Sequence, residues 1–317
     1  EVAEIIDDPG ALFERMRRTR VIRLGALSDE ALADRLLSHE QALCIVNSRA
    51  QAQALHRALG GEERGAYHLS TLMCAEHRTK KLETVRQRLQ NGERVLLVST
   101  SLIEAGVDVD FPVVYRAAAG LDSIAQAAGR CNRNGRQREA APVYVFTAVG
   151  WNTPSETERL GDIALLEVAP KHDDLLSREA IARFFSLRFG AGARLDVKEI
   201  LRDIAEHTDK KFPFETIASK FHLIENAQEA LFIPYDDEAR ALLRELESGR
   251  ALGGTLRKLQ RYSVTIYAQQ AKALAEKGVL KGVDGALMLD AADEQLRTLY
   301  TGEYGLNVDT PLTALIA

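Results

Sequence analysis

Residues 123–136 read SIAQAAGRCNRNGR. The spacing predicts a helix through this stretch, with Gln126, Arg130 and Arg133 on one face because they stand four and three residues apart. Leu121, Ile124, Ala125 and Ala128 form the opposite side, a narrow stripe of small apolar residues suited to close packing on a sheet. Two guanidiniums and an amide on one rigid element suit a polyphosphate whose charge shifts during reaction. An isolated R-x-x-R more often marks a solvated face. The longer string Q-x-x-G-R-x-x-R, following a polar strand-end loop, is much rarer.

The surrounding chain supplies the sheet. VIRLG (21–25), ALCIVNS (42–48), AYHLST (66–71), RVLLVST (94–100), VVYRAA (113–118) and PVYVFTA (142–148) read as strands, several of them almost continuously apolar. Between them lie helical stretches. One follows Ser28, a candidate N-cap with Asp29 and Glu30 in the first turn. Another runs from Arg49 to Leu59 and is stopped by Gly60-Gly61. A third spans 74–90, with Leu82, Val85 and Leu89 on one side. Strand–helix alternation with short loops implies a parallel sheet with helices on both faces. Such sheets are expected to carry their working loops at the carboxyl ends of the strands.

The pattern breaks at Gly150. A polar connection over 151–158 leads into helical stretches near 155–168 and 177–189, the latter with Ser177 as cap and Ile181, Phe184, Phe185 and Leu187 as its apolar side. From about 210 the chain reads as a small mixed α/β domain. KFPFETIASKFHLI, ALFIPYDD and RYSVTIYA look like short strands or turns among charged helices such as DEARALLRELESG. The expected division is a linker over 1–19, a sheet-bearing lobe over 20–150, a helical linker over 151–210 and an accessory domain over 211–317.

Composition limits the function classes. The chain has 317 residues, 46% hydrophobic and 27% charged, with net charge −5. A uniformly basic nucleic-acid binder is thereby excluded, but Arg130, Arg133, Arg136 and Arg138 make a basic stripe with no acid inside it. No apolar run approaches a membrane span, and no signal peptide is visible. The three cysteines, Cys44, Cys74 and Cys131, show neither metal-ligand spacing nor a disulfide framework, and the seven His form no paired-ligand pattern, so no metal site is expected and a reducing cytoplasm fits best. The chain opens at Glu1 rather than Met, so an upstream segment is expected.

Three strand ends carry candidate contacts. After RVLLVST come Ser99, Thr100, Ser101, Glu104, Gly106 and Asp108, where hydroxyls and free amides can meet phosphate oxygens, Gly106 permits a tight bend, and Asp108 can accept from a ribose hydroxyl or orient a guanidinium. Asn47, Ser48 and Arg49 end the 42–48 strand and could hold a nucleic-acid phosphate, or simply cap a helix. His68, Ser70 and Thr71 occupy the equivalent place on the third strand, with His77 and Arg78 in the next helix; the plain alternative is again cap and surface residues. Cys131 reads as a packing residue rather than a nucleophile.

These residues together resemble the second RecA-like lobe of a superfamily 2 helicase. NSR at 47–49 resembles motif IV, STSLIEAGVDVD at 99–110 motif V, and QAAGRCNR at 126–133 motif VI. EAGVDVDF, HLSTLMCAEHR (68–78), LSREAIARFF (176–185) and FIPYDDEARALL (232–243) narrow the resemblance to the CRISPR-associated helicase–nuclease of type I systems, in its type I-C-like branch. The resemblance covers nearly the whole chain.

It implies that Arg133 is the arginine finger on the γ-phosphate and that Arg130 stands beside it at the nucleotide as a second catalytic and nucleotide-binding arginine. Gln126 would stand between nucleotide and inter-lobe contacts, and Gly106 and Asp108 would couple nucleotide state to strand grip. Asn47, Ser48, Arg49, Ser70, Thr71, Thr100 and Ser101 would lie along single-stranded DNA, with the terminal domain as a lid over the channel. No GxxxxGK[ST] loop, no DExH or DEAD box and no His-Asp nuclease cluster stands in this sequence. ATP and Mg2+ would therefore be held mainly by a first lobe outside the chain, the nuclease metals would belong to another domain, and the chain alone is expected to be inactive. The expected partners are single-stranded DNA, that first lobe and nuclease domain, and a CRISPR surveillance complex. The alternative is a non-enzymatic module docking in trans on such a complex. A dinucleotide-binding protein is disfavoured because no GxGxxG follows any strand.

Overall fold

The computed structural model describes residues 5–190, 195–206, 212–221, 228–249, 253–283, 285–290 and 293–308. Helix α1 (Pro9–Arg15) leads into β1 (Thr19–Leu27), α2 (Asp29–Leu37), β2 (Gln41–Ile45), α3 (Arg49–Ala58), β3 (Ala66–Leu69), α4 (Ala75–Gln90), β4 (Val95–Ser99), β5 (Val114–Ala117), α5 (Leu121–Ala128) and β6 (Ala141–Ala148). The six strands form one sheet in the order β1-β6-β5-β2-β4-β3, and every neighbouring pair is parallel. Each strand expected from the sequence is present.

The continuous apolar runs are explained by burial on two faces. Leu43 and Ile45 of β2 join Leu97, Met73, Val85 and Ala127 on the side of α4 and α5. Ala42 and Cys44, one residue out of phase, join Leu32, Leu36, Ala52 and Leu55 of α2 and α3 on the other. Ser28 and Ser48 cap α2 and α3, accepting from Ala31 N (3.3 Å) and Gln51 N (3.1 Å). Such caps are worth about 1 kcal/mol each.

Beyond β6, α6 (Ser155–Asp162) runs into a π-helical turn at Ile163–Val168, followed by α7 (Arg178–Phe189), α8 (Ile200–Glu206) and α9 (Phe214–Lys220). Ser177 caps α7 as expected. Leu160, Ala164 and Phe184 pack with Leu121 and Ile124 of α5, so this helical segment extends the core over the outer face of α5. Phe185, expected on the apolar side of α7, is exposed instead.

A second sheet holds β7 (Gln228–Phe232), β8 (Ser263–Tyr267), β9 (Leu280–Val283) and β10 (Ala286–Leu289) in the order β8-β7-β10-β9. Only the β7–β10 pair is parallel. Helices α10 (Asp237–Glu247), α11 (Thr255–Leu259), α12 (Ala268–Glu276) and α13 (Asp293–Leu299) accompany it, and a short ribbon of β11 (Tyr300–Thr301) and β12 (Gly305–Leu306) follows. The expected strand or turn over 211–224 is corrected: Phe214–Lys220 is helical, and 211 and 222–224 lie outside the described residues.

The two sheets share a seam. Leu72 and Cys74, which lead into α4, are buried in the apolar core of the second sheet. Leu306 N donates to Leu72 O (2.8 Å), and Tyr304 Oη lies 2.9 Å from His56 Nδ1. Lys81 Nζ donates to Gly302 O (2.8 Å) and pairs with Glu62 (2.5 Å).

Candidate functional site

The helix at 123–136 is shorter than the sequence reading. It ends at Gly129, so Arg130 and Arg133 lie beyond it and do not share a helical face with Gln126. The chain turns sharply at this point. Phe111 N donates to Arg130 O and Asn132 N to Phe111 O, both at 2.9 Å, making a parallel bridge between Phe111 and Cys131. Asn132 takes φ +46, the left-handed conformation in which asparagine is favoured among non-glycine residues. Its side chain closes the loop, accepting from Gln137 N (3.0 Å) and donating to Gln137 O (3.1 Å). The bridge pairs the N–H and C=O of Phe111, just ahead of β5, with which a continued helix would have made no bonds. The small stripe is also shifted: Ala127 is buried and Ala125 only half-buried.

The location of the arginines is a second correction. Helix α5 runs back against the strand direction, so its last residues arrive at the amino ends of the strands. Arg18, which precedes β1, donates to Arg133 O, and Arg18 O accepts from Ala141 N at the start of β6 (2.9 Å). Asn47, Ser48, Thr100 and Ser101 stand at the carboxyl ends of β2 and β4, at the other end of the sheet. The segment 100–110 crosses between the two ends and ends beside Arg133.

The two arginines are held differently. Arg130 is 8% exposed, and its Nε and Nη2 donate to the carbonyls of Ile103 (3.0 Å) and Glu104 (2.5 Å). It clamps the crossing segment. Burial, with Arg133 nearby, lowers its pKa. Arg133 is 41% exposed, and its Nε lies 2.9 Å from Asp108 Oδ1, a carboxylate that is itself 77% exposed. Its backbone N donates to Asp110 Oδ1 (2.7 Å), and Asn134 N donates to Asp110 Oδ2 (3.3 Å). Arg133, Arg17 and Arg18 contribute to the lining of a largely apolar cavity of about 380 Å³ whose walls include Phe13, Ala128, Cys131 and Asp174. Asp174 holds Arg17 at 2.7 Å. Burial pushes the Cys131 thiol up to about 12, in keeping with a packing role.

Other sequence candidates fall as follows. Gln126 is exposed, and Gly106 is exposed at φ +71 with open space around it. Asn47 is half-buried and structural at its side chain: Nδ2 donates to Ala118 O (2.8 Å) and Oδ1 accepts from Arg116 Nη1 (2.6 Å). Ser48 caps α3, and Arg49 opens that helix half-buried. Ser70 is corrected: it is fully buried, and its hydroxyl accepts from Leu72 N (3.3 Å), closing the turn after β3. Thr71 and Ser101 are exposed and Thr100 is half-buried. His68 and His77, candidate contacts with cap and surface residues as the alternative, are buried at the seam. Burial drives His68 down to about 3 and His77 to about 4.

Sequence reasoning passed over Arg116. It lies on β5, 2% exposed, with Nε 2.7 Å from Glu104 Oε1. The signal was available: a charge inside VVYRAA, an otherwise apolar strand, requires a buried partner. Among the described residues no three His, Cys, Asp or Glu side chains converge on a metal site.

Residues 38–136 match the family described as CRISPR-associated nuclease/helicase Cas3, C-terminal, a span that includes the turn after α5, Arg130 and Arg133. Over that span the chain is similar to the Cas3 family. A Cas3 from Haloferax volcanii is 62% identical over 53 residues, 16% of this chain and 6% of that protein. The T. fusca Cas3–ATP crystal structure superposes with TM-score 0.55 at 15% identity, over 86% of this chain and 39% of that one. A chain of a CRISPR RNA-guided surveillance complex, pre-nicking, superposes with TM-score 0.54 at 15% identity, over 88% and 42%. These likenesses establish the RecA-like α/β fold. The chain spans less than half the length of the Cas3 proteins it matches. No helix among the described residues is long and apolar enough to cross a membrane.

Proposed function

We propose that this chain is the second lobe of an ATP-driven single-stranded-DNA translocase of the Cas3 helicase–nuclease type, and that Arg133 is its arginine finger. The observation that carries this reading is Arg133 itself, the half-exposed guanidinium on a loop fixed at both backbone and side chain, beside a cavity whose lining includes Arg17 and Arg18. Charge that spreads over a γ-phosphoryl group is best met by a pre-positioned donor. The exposed Asp108 contact can be exchanged for phosphate at small cost, since such pairs are worth about 0–1 kcal/mol. Arg130, committed to two carbonyls, serves in this reading as neighbour and clamp rather than as a second finger.

The ATP named for the T. fusca relative supports ATP as the substrate here. The phosphate cradle and Mg2+ would come from the first lobe, in the same or another chain, and the nuclease metals from a separate domain. Single-stranded DNA would run along Asn47–Arg49, Thr71, Thr100 and Ser101, and movement there would reach Arg133 through segment 100–110. In the same proposal 20–150 is the motor lobe, 151–210 a helical linker, and 211–317 an accessory domain lying as a lid over the strand. The surveillance complex named for the structural neighbour is the proposed recruiting partner.

The test is ATP hydrolysis by this chain assembled with a lobe carrying the phosphate loop. Arg133→Ala is expected to reduce strand-stimulated turnover by about 10³-fold or more with nucleotide affinity little changed, and the chain alone to show no turnover. Normal turnover by Arg133→Ala overturns the assignment.

A further inference from the structure

We propose that Asp110 is the positioning residue for Arg133; the proposal rests on the finger role argued above. Asp110 spans two successive amides, those of Arg133 (2.7 Å) and Asn134 (3.3 Å), with its two carboxylate oxygens. Charge-assisted bonds of this kind are about twice as strong as neutral ones and fix direction. Here they fix the direction in which the Arg133 side chain leaves the backbone.

Asp110 is itself held firmly. The next residue, Phe111, is fully buried and exchanges backbone bonds with Arg130 and Asn132. Arg130 ties the other side of the turn to Ile103 and Glu104. Downstream, Gly135 N returns to Asn132 O (3.0 Å), so the arginine loop is a closed turn whose outer edge Asp110 secures.

The two aspartates of the VDVD stretch thus divide the work. Asp108 parks the guanidinium from an exposed position and can surrender it to phosphate. Asp110 holds the backbone, and no ligand can replace it without moving the chain. A displacement near 1 Å of a reacting group can cost about 10²-fold in rate, so loss of Asp110 acts on turnover rather than on nucleotide affinity.

The experiment uses this chain assembled with its nucleotide-binding lobe, single-stranded DNA and ATP. Asp110→Ala is expected to lower kcat by about 10- to 100-fold with KM for ATP within about threefold. Asp110→Asn retains an acceptor for Arg133 N and is expected to recover most of that loss, which keeps the question answerable if the alanine variant folds poorly. The double variant Asp110→Ala/Arg133→Ala is expected to be no slower than Arg133→Ala, because one residue acts through the other. Wild-type kcat in Asp110→Ala, a rise in KM at constant kcat, or losses that multiply in the double variant would each overturn the proposal. Wild-type kcat in Arg133→Ala is a different failure, that of the finger reading.

Discussion

Arg116 and Glu104 meet at 2.7 Å with 2% and 5% of their side chains exposed, which places a buried ion pair between β5 and the segment that crosses from the strand-end residues to the arginine loop. Burial pulls the two in opposite directions from their ordinary pKa, lowering that of Arg116 and raising that of Glu104, while each partner's charge resists the shift. Arg116 also donates to Asn47 Oδ1 and to Ala117 O (2.8 Å), so Glu104 and Asn47 share one buried cation.

Breaking such a pair from one side strands a charge. Arg116→Met is expected to destabilise the chain by about 3–5 kcal/mol, whereas Arg116→Met/Glu104→Leu recovers a large part of that loss because neither charge is left buried. Urea unfolding of the three proteins checks this. A double variant less stable than Arg116→Met would show that the pair is not the unit described.

Ser70 and its neighbours separate stability from strand affinity. The Ser70 hydroxyl is spent on Leu72 N, so Ser70→Ala is expected to cost about 1 kcal/mol of stability and leave single-stranded DNA affinity unchanged. Arg49→Ala, just beyond the carboxyl end of β2, is expected in the proposed strand path to weaken that affinity and make the slope of log K against log salt shallower by up to about 0.7, the single-strand value for one phosphate contact. Binding isotherms at several salt concentrations check both. Equal affinity loss in Ser70→Ala would return that residue to the strand path.

The histidines of the seam give a pH dependence whose sign is fixed. His68 is buried against His56 and Tyr304, with Lys81 and His77 close enough to disfavour its charged form further, and burial is the larger cause of its fall to about 3. His77 falls to about 4 for the same leading reason, opposed by Gly302 O and Glu62. An unfolded histidine titrates near 6.5, so between there and pH 4 the unfolded chain binds more protons than the folded one. Stability from this source is complete above about pH 6.5 and is lost as the pH falls, at up to about 1.4 kcal/mol per pH unit for each histidine. His68→Leu is expected to flatten the decline between pH 7 and 5 in urea unfolding. An unchanged slope would remove His68 from the cause.

The sheet was legible because two-sided burial writes itself as apolar runs, and Ser28 and Ser177 marked their helices correctly because caps are local. The end of α5 was not legible. Gly129 was read as part of a helical spacing, yet what stops the helix is a bridge to Phe111, eighteen residues earlier, and no periodicity reports a non-local partner. The same limit hid the seam: the burial of HLSTLMCAEHR could not be seen because its partners, Tyr300 and Gly302 bonded to His77 and Tyr304 packed on His68, lie more than two hundred residues away. Of the candidate site, the string supplied only candidates. That Arg133 is paired only with an exposed carboxylate while Arg130 is clamped on two carbonyls could not be read there.

Gly305 offers the sharpest test of that seam. It takes φ +76 in β12, and a Cβ there would collide with the Leu72 carbonyl, whose oxygen accepts from Leu306 N. Backbone cannot yield as a long side chain would, and the positive φ strains any L-residue besides. Gly305→Ala is therefore expected to cost more than 1 kcal/mol and to loosen the 300–306 ribbon from the lobe before the six-stranded sheet itself unfolds. Hydrogen exchange is the direct measurement: the Leu306 amide, and the Cys74 amide that donates to Tyr300 Oη (3.0 Å), should lose protection while amides of β2 and β4 keep theirs. Gly302→Ala, where the same added carbon meets open space, is the matched control and should leave both amides protected. If Gly305→Ala behaves like the control, the ribbon does not lie against Leu72 in solution, and the seam between the two sheets has to be drawn elsewhere.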